Sequence, residues 1–212
     1  MEKKYKYIGY FMIFLIPLTF FGFYKTYFGL IPVFNEKTDT ITHLHAFVST
    51  LWIGALIVQP FLISNKKFKT HRAIGKFTYV LFPLLVVFFI LQMTKKSGED
   101  NVLQAIFFPL RDLSLLTIFY GLAIYHKKQT AIHMRYMIAS AMVFLFPTVG
   151  RITGIIMGIE GIGGTEITYL LIYSIFLGLI YYDTLSKTKV RTYHISCLCF
   201  MVSQLFFFFI FL

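Results

Sequence analysis

Four of the six histidines stand near charged residues at the ends of apolar runs, where they could bind a metal. They are His71, His126, His133 and His194. Neutral imidazole is a common ligand of haem iron, and two imidazoles at one membrane depth on different helices could hold a planar haem b. Arg72 and Arg135 could then pair with the propionates. The pattern predicts that His71 and His133 ligate the iron, with His194 or His126 as substitutes.

A second interpretation needs no cofactor. Helix ends at membrane interfaces commonly carry histidine, arginine and tyrosine, which anchor the helix to lipid headgroups. The histidines also lack the spacing of a zinc-protease helix, of a covalent haem attachment motif or of a phosphate-binding loop. Both interpretations, cofactor ligands and interface anchors, stay open at this point.

Three ionisable residues fall inside apolar runs, where an unpaired charge costs several kcal/mol. They are Arg111, Asp112 and Arg151. From the rise of a helix, Arg111 lies roughly 12 Å and Arg151 roughly 9 Å below the outer ends of their runs. Asp112 could therefore pair with Arg151. Such a pair would either lock two helices together or form part of a ligand site.

A polar stripe on the second apolar run extends this outer site. His45, Trp52 and Gln59 recur at helical spacing and share one face, whereas His43 points elsewhere. Polar groups in lipid turn toward the protein interior. The sequence thus predicts an outer pocket for a small polar or anionic ligand, formed by His45, Trp52, Gln59, Arg111, Asp112 and Arg151.

A pocket of this kind suits a transporter or a membrane binding protein. Four glycines between the fifth and sixth runs could form a mobile lid over it: Gly158, Gly161, Gly163 and Gly164. The chain has no internal repeat and an odd number of apolar runs, which argues against a transporter built from repeats. A third hypothesis is an assembly or scaffold protein without a ligand. The sequence does not decide whether the chain is an enzyme.

The elements that position these residues are apolar helices. The chain of 212 residues is 58% hydrophobic and 14% charged, with a mean hydropathy of +0.73, so it has too little polar surface for a soluble domain. A helix needs about 20 apolar residues to cross a bilayer. The sequence predicts a single all-α transmembrane domain over residues 1–212, a seven-helix bundle with spans at about 7–24, 41–63, 73–93, 103–125, 132–157, 167–183 and 193–212.

The lysines and arginines alternate between the loops as seven spans with a cytoplasmic N-terminus and an outer C-terminus require. The predicted cytoplasmic segments carry Lys3, Lys4, Lys6, Lys66, Lys67, Lys69, Arg72, Lys76, Lys127, Lys128, Arg135, Lys187, Lys189 and Arg191. The predicted outer segments carry Lys25, Lys37, Lys95 and Lys96, with the acids Glu36, Asp39, Glu99, Asp100, Glu160 and Glu166. We therefore expect a multi-pass protein of the bacterial cytoplasmic membrane.

The net charge of +11 is explained by this bias. Its charges lie in short clusters between apolar runs, so they do not indicate nucleic-acid binding. The lipid bilayer is the expected partner, with a small molecule or an electron-transfer protein beside it. Cys197 and Cys199 stand in an apolar run and predict neither a disulfide framework nor zinc binding.

The polar positions together resemble an uncharacterised bacterial family of multi-spanning membrane proteins. The resemblance covers about residues 41 to 194 and implies the fold but no reaction. It is carried by His43-x-His45 with Trp52 and Gln59, by His71-Arg72-x-x-Gly75, by His133-x-Arg135-x-Met137, by Pro147-x-x-x-Arg151, and by Tyr182-Asp183 ahead of Arg191 and His194.

More remotely, the arrangement is similar to membrane cytochromes of the b type, in which histidines on alternate spans bind haem. That similarity implies His71 on the third span and His133 on the fifth as the inner pair. The outer side departs from it, because His45 on the second span has no histidine on the fourth to match it. The similarity therefore does not imply a second haem.

Overall fold

The computed structural model describes residues 5–34, 38–95, 102–159, 161–188 and 190–212. All regular secondary structure in these ranges is helical. In chain order the helices are α1 (Ile8–Ile13), α2 (Leu15–Phe23), α3 (Thr40–Ser64), α4 (Phe68–Thr94), α5 (Val102–Tyr125), α6 (Thr130–Met142), α7 (Leu145–Arg151), α8 (Ile162–Leu185) and α9 (Thr192–Phe211), with a 3-10 turn at Phe28–Leu30 and a π-helical segment at Ile152–Ile156.

Six of the predicted spans are confirmed as helices long and apolar enough to cross a membrane. They are Thr40–Ser64, Phe68–Thr94, Ala105–Tyr125, Thr130–Ile156, Ile162–Leu185 and Thr192–Phe211. The predicted first span is also apolar and helical, over Ile8–Phe23, but it is shorter than these six. Several charged residues used to predict sidedness lie outside the described residues: Lys3, Lys4, Glu36, Lys37, Lys96, Glu99, Asp100, Glu160 and Lys189.

Prolines account for the two breaks within the predicted spans. A proline ring clashes with the carbonyl four residues earlier and lacks the N–H that would bond to it. Pro17 therefore donates no helical hydrogen bond to the carbonyl of Ile13, and α1 ends at Ile13. Pro147 likewise donates none to the carbonyl of Val143, the residue that directly follows α6. The fifth predicted span is thus one apolar path made of α6, α7 and the π-helical segment.

Two helices begin earlier than the sequence predicted. The third span was placed from residue 73, yet α4 begins at Phe68, so His71 and Arg72 lie on the helix. The sixth span was placed from residue 167, yet α8 begins at Ile162 and includes Gly163 and Gly164. Charge and glycine near a helix end made both segments look like loops. Only Gly158 and Gly161 of the predicted lid form the connection, each with positive φ.

The chain divides into two compact units, and the boundary between them falls inside α5. Unit 1 is Met1–Pro109 and unit 2 is Leu110–Leu212. The prediction of a single transmembrane domain stays a prediction.

Unit 1 is built on the packing of α3 against α4, with α1 beside α3. Trp52 on α3 is 1% exposed, and its ring lies 5.5 Å from that of Phe82 on α4. Asp39 accepts hydrogen bonds from Thr42 at the start of α3 and pairs with Lys95, which follows α4. The bond from Lys95, with those from Thr42, holds the pKa of Asp39 well below its usual range.

Unit 2 contains the most buried of the six candidate spans, Thr130–Ile156. Helix α6 packs against α9, α7 packs against α8, and α8 packs against α9. Aromatic rings fill the spaces between them, with Phe200 of α9 5.5 Å from both Phe119 and Phe176. The polar residues considered below for a ligand site are held in this aromatic core.

A pair of glycines on α8 tests the packing of unit 2. A Cβ at Gly164 would lie 2.7 Å from the carbonyl oxygen of Ile159 and 2.9 Å from Oγ1 of Thr153, whereas one at Gly178 would meet nothing within 4 Å. We expect Gly164→Ala to lower the stability of the detergent-solubilised protein by about 1–3 kcal/mol. We expect Gly178→Ala to leave it unchanged or raise it by up to about 1 kcal/mol. Thermal unfolding of both variants measures this, and equal melting temperatures would contradict the close packing.

Candidate functional site

Arg111 and Asp112 form an ion pair within a single helix. Both lie on α5, and they are 7% and 6% exposed. The guanidinium donates from Nε and Nη2 to one carboxylate oxygen, at 2.9 and 2.8 Å. The sequence had suggested that Asp112 pairs with Arg151 on the next span. These two bonds come from the neighbouring residue, because the long arginine side chain can fold back onto its own helix. The pairing of Asp112 with Arg151 stays a prediction.

Aromatic rings hold the Arg111 guanidinium on other sides. Its carbon lies 3.5 Å from the ring centroid of Phe146 on α7 and 5.9 Å from that of Tyr169 on α8. The negative face of an aromatic ring attracts a cation, more strongly where water is excluded. The Tyr169 hydroxyl lies 3.1 Å from Oγ of Ser203 on α9. Residues of α5, α7 and α8 thus contact one buried cation, and Ser203 of α9 contacts the Tyr169 hydroxyl beside it.

Arg151 adds a second guanidinium to this group. It is the last residue of α7, it is half-buried, and its Nη1 donates to the carbonyl of Pro147 at 2.9 Å. It is close enough to Asp112 for the two charges to interact. The π-helical segment begins at the next residue, Ile152. Single-turn π-helical insertions in α-helices are frequent at functional sites. We call Arg111, Asp112, Arg151 and Tyr169 the guanidinium cluster.

Arg135 forms a different kind of ion pair. It lies on α6 and has no exposed surface. Its Nε and Nη2 each donate at 2.7 Å to a separate oxygen of Asp183 on α8, and its Nη1 donates at 2.8 Å to the carbonyl of Ala131. All three nitrogens thus bond within the protein, in the geometry that arginine and carboxylate favour. This ion pair joins two helices.

The three predicted haem-site histidines of unit 2 have different surroundings. Nδ1 of His133 lies 2.8 Å from the carbonyl oxygen of Ala123, so it carries the proton and donates it. The ring of His126 stacks on Tyr136 at 6.0 Å and meets Tyr125 edge-on. His194 is exposed. Of these three, His133 shows the backbone hydrogen bond that fixes the tautomer of a metal-binding imidazole.

The other predicted site residues lie in unit 1. His71 is half-buried on α4, and its carbonyl accepts a bond from Nε2 of Gln59 at 3.3 Å. Arg72 is exposed and bonds to the carbonyl of Phe68. His45 contacts Phe89 edge-on, at 5.1 Å between ring centroids, and lies 3.5 Å from Oγ of Ser49. Trp52 packs in the core. The part these residues play in a haem site or an outer pocket stays a prediction.

A polar face along α8 and α9 was not predicted from the sequence. Glu166, Tyr169 and Tyr173 recur at spacings of three and four, so they share one face of α8. Ser203 and Gln204 of α9 contact them. The spacing of these residues can be read from the sequence. Tyrosine and serine are common in apolar helices, however, so their presence does not distinguish a polar face from ordinary helix packing.

Within the described ranges, no group of three or more histidine, cysteine, aspartate or glutamate side chains is suited to hold a metal ion. A haem iron needs only two axial ligands, so this observation does not bear on haem. No family model, no curated protein and no solved structure matches the chain.

The Arg135–Asp183 pair predicts an asymmetric mutational response. Removing one member leaves the other charge buried without its partner, so we expect Asp183→Ala to cost about 3–5 kcal/mol of stability. Replacing both members with apolar residues of similar size, in Arg135→Met with Asp183→Leu, should restore most of that loss. Thermal unfolding in detergent measures the three proteins. The matched control is Asp39→Asn at the exposed pair with Lys95, where we expect a much smaller shift. A double variant no more stable than Asp183→Ala would contradict this role.

Proposed function

We propose that this chain is a seven-span protein of the cytoplasmic membrane that binds a small anionic ligand at the guanidinium cluster. The alternating loop charges and the six membrane-length helices support the membrane assignment. The cytoplasmic N-terminus and the shorter first span are part of the proposal. Ligand binding of this kind serves a transporter or a membrane receptor.

The observation that carries the proposal is the contrast between two ion pairs. Arg135 and Asp183 come from different helices and have the geometry of a structural lock. Arg111 and Asp112 are neighbours on one helix, so the bonds between them join no two helices. Burying two charges in a membrane span is costly. Because the Arg111–Asp112 bonds do not hold helices together, a binding role accounts better for that cost.

The chemistry of the cluster suits an anion. Asp112 and the Phe146 ring fix the position of the Arg111 guanidinium before any ligand arrives. Arg151 contributes a second planar fork of N–H donors, the group that recognises carboxylate and phosphate best. Charge interactions are stronger where water is excluded. Donors fixed in advance lose little freedom on binding, which favours affinity.

Removal of Arg151 tests this function. We expect the purified protein to bind inorganic phosphate or a short carboxylate such as hexanoate, measured by isothermal titration calorimetry. Arg151→Gln should weaken that binding at least about tenfold, since a hydrogen bond to a charged group contributes about 1.5–3 kcal/mol. Arg191→Gln, which removes the same charge at an exposed position of unit 2, is the control and should bind normally. Folded wild-type protein that binds neither probe would refute the proposal.

A second candidate function is supported by His133. The bond from its Nδ1 to the carbonyl of Ala123 leaves Nε2 as the nitrogen that would ligate a haem iron. Such a haem would supply one-electron redox chemistry. We propose His133 as one axial ligand of this haem. Because Arg135 is engaged by Asp183, its guanidinium is a poor candidate for a propionate contact.

An absorption spectrum distinguishes the two candidates. Haem-loaded protein purified from haem-sufficient cells should give sharp visible bands after reduction with dithionite. His133→Ala should abolish these bands, because the iron loses a ligand. His43→Ala should keep them, since His43 bonds to Tyr27 near the start of α3. Wild-type protein without such bands would exclude haem and leave the anion site untouched.

A further inference from the structure

Glu166 is the acidic residue on the polar face of α8. It lies one turn into the helix and is half-buried. One carboxylate oxygen, Oε2, accepts a hydrogen bond of 2.7 Å from Nε2 of Gln204 on α9. The other oxygen, Oε1, is buried and has no hydrogen-bond partner in the described part of the chain. A buried acceptor without a donor costs about 1–3 kcal/mol, and more when it is charged.

Gln204 is itself fixed in orientation. Its Oε1 accepts a hydrogen bond of 2.7 Å from the Tyr173 hydroxyl, so its amide nitrogen is the end that reaches Glu166. Both functional ends of this side chain are therefore used. The chain Tyr173–Gln204–Glu166 holds the carboxylate from one side only, and Oε1 is the position at which a further donor would bind.

The same face connects Glu166 to the guanidinium cluster. The Tyr173 ring stacks on Tyr169 with centroids 6.0 Å apart, and Tyr169 lies 5.9 Å from the Arg111 guanidinium. Glu166 precedes Tyr169 by three residues, about 4.5 Å along the helix axis. The Glu166 acceptor is thus connected to the Arg111 guanidinium of the cluster through two tyrosine side chains of α8.

We propose that the ligand is zwitterionic, with an amine bound by Glu166 and an acidic group bound by Arg111 and Arg151. The inference rests on the proposed anion site and specifies its substrate class. An ammonium group supplies the donor that Oε1 lacks, and its positive charge is opposite to that of the carboxylate. In this arrangement the amine and the acid of the ligand are joined by a short carbon chain. The rings of Tyr169 and Tyr173, which connect Glu166 to Arg111, would contact that chain.

Two probes of equal length test this inference on the wild-type protein. We measure the affinities of 6-aminohexanoate and of hexanoate, which lacks only the amine, by isothermal titration calorimetry in detergent. The zwitterion should bind at least tenfold more tightly. Glu166→Gln should remove that advantage while keeping the affinity for hexanoate, because it removes the charge and hardly changes the shape.

The outcomes separate this inference from the anion site. If both probes bind wild-type protein equally, the ligand is not zwitterionic, and the anion site stands. If neither binds to folded protein, the inference fails, and the anion site fails with it only when inorganic phosphate does not bind either. The comparison of the two probes needs no variant, so it decides the question even if Glu166→Gln does not fold. Hexylamine, which lacks the acid, should bind more weakly than 6-aminohexanoate, and equal binding of these two would also overturn the inference.

Discussion

The ion pair of Arg135 and Asp183 is the interaction on which the packing of unit 2 most depends. A guanidinium without exposed surface has no access to water, so every donor must find its acceptor in the protein. Two of its nitrogens bond to the Asp183 carboxylate and a third to a helix carbonyl. These bonds fix the register of α6, the core of the most buried span, against α8. The aromatic core of unit 2 then packs around a single arrangement of these two helices.

The guanidinium cluster differs from this ion pair. The bonds between Arg111 and Asp112 lie within α5 and join no two helices. Asp112 instead keeps the Arg111 guanidinium in place, and Phe146 restricts it further. A charged group that is fixed before a ligand arrives needs little reorganisation when the ligand binds. Unit 2 therefore contains one ion pair that joins two helices and one that lies within a single helix, and it is the second to which we assign recognition in our proposal.

The helices could be predicted from the sequence much better than the partners of their polar residues. Long apolar runs located six spans, because the bilayer sets a minimum length and excludes unpaired backbone groups. The helix ends at Phe68 and Ile162 were missed, since charge and glycine resemble loop signals there. The breaks near Pro17 and Pro147 follow from proline geometry, yet prolines inside α3, α4 and α5 are tolerated, so sequence alone does not say which proline interrupts its helix.

The site shows why side-chain pairing is harder to predict than helix position. The buried charges Arg111, Asp112 and Arg151 could be found because charge is rare in apolar runs. Spacing suggests an Asp112–Arg151 pair, but it does not show that Arg111 bonds to Asp112 on its own helix. Arg135 resembled a residue at the membrane surface, and its partner Asp183 is 48 positions away. Only the structure, in which these side chains of α6 and α8 meet, reveals that pair.

Helix α8 carries both kinds of polar contact, about 25 Å apart along its length. Asp183 ties its C-terminal part to α6, whereas Glu166 lies near its N-terminus, beside a turn in which Gly158 and Gly161 adopt positive φ. The N-terminal part is held as well, because Gly164 packs closely against Ile159 and Thr153, and Gln204 of α9 donates to Glu166. Both ends of α8 therefore have defined positions in unit 2, which places Glu166 at a fixed point on the helix.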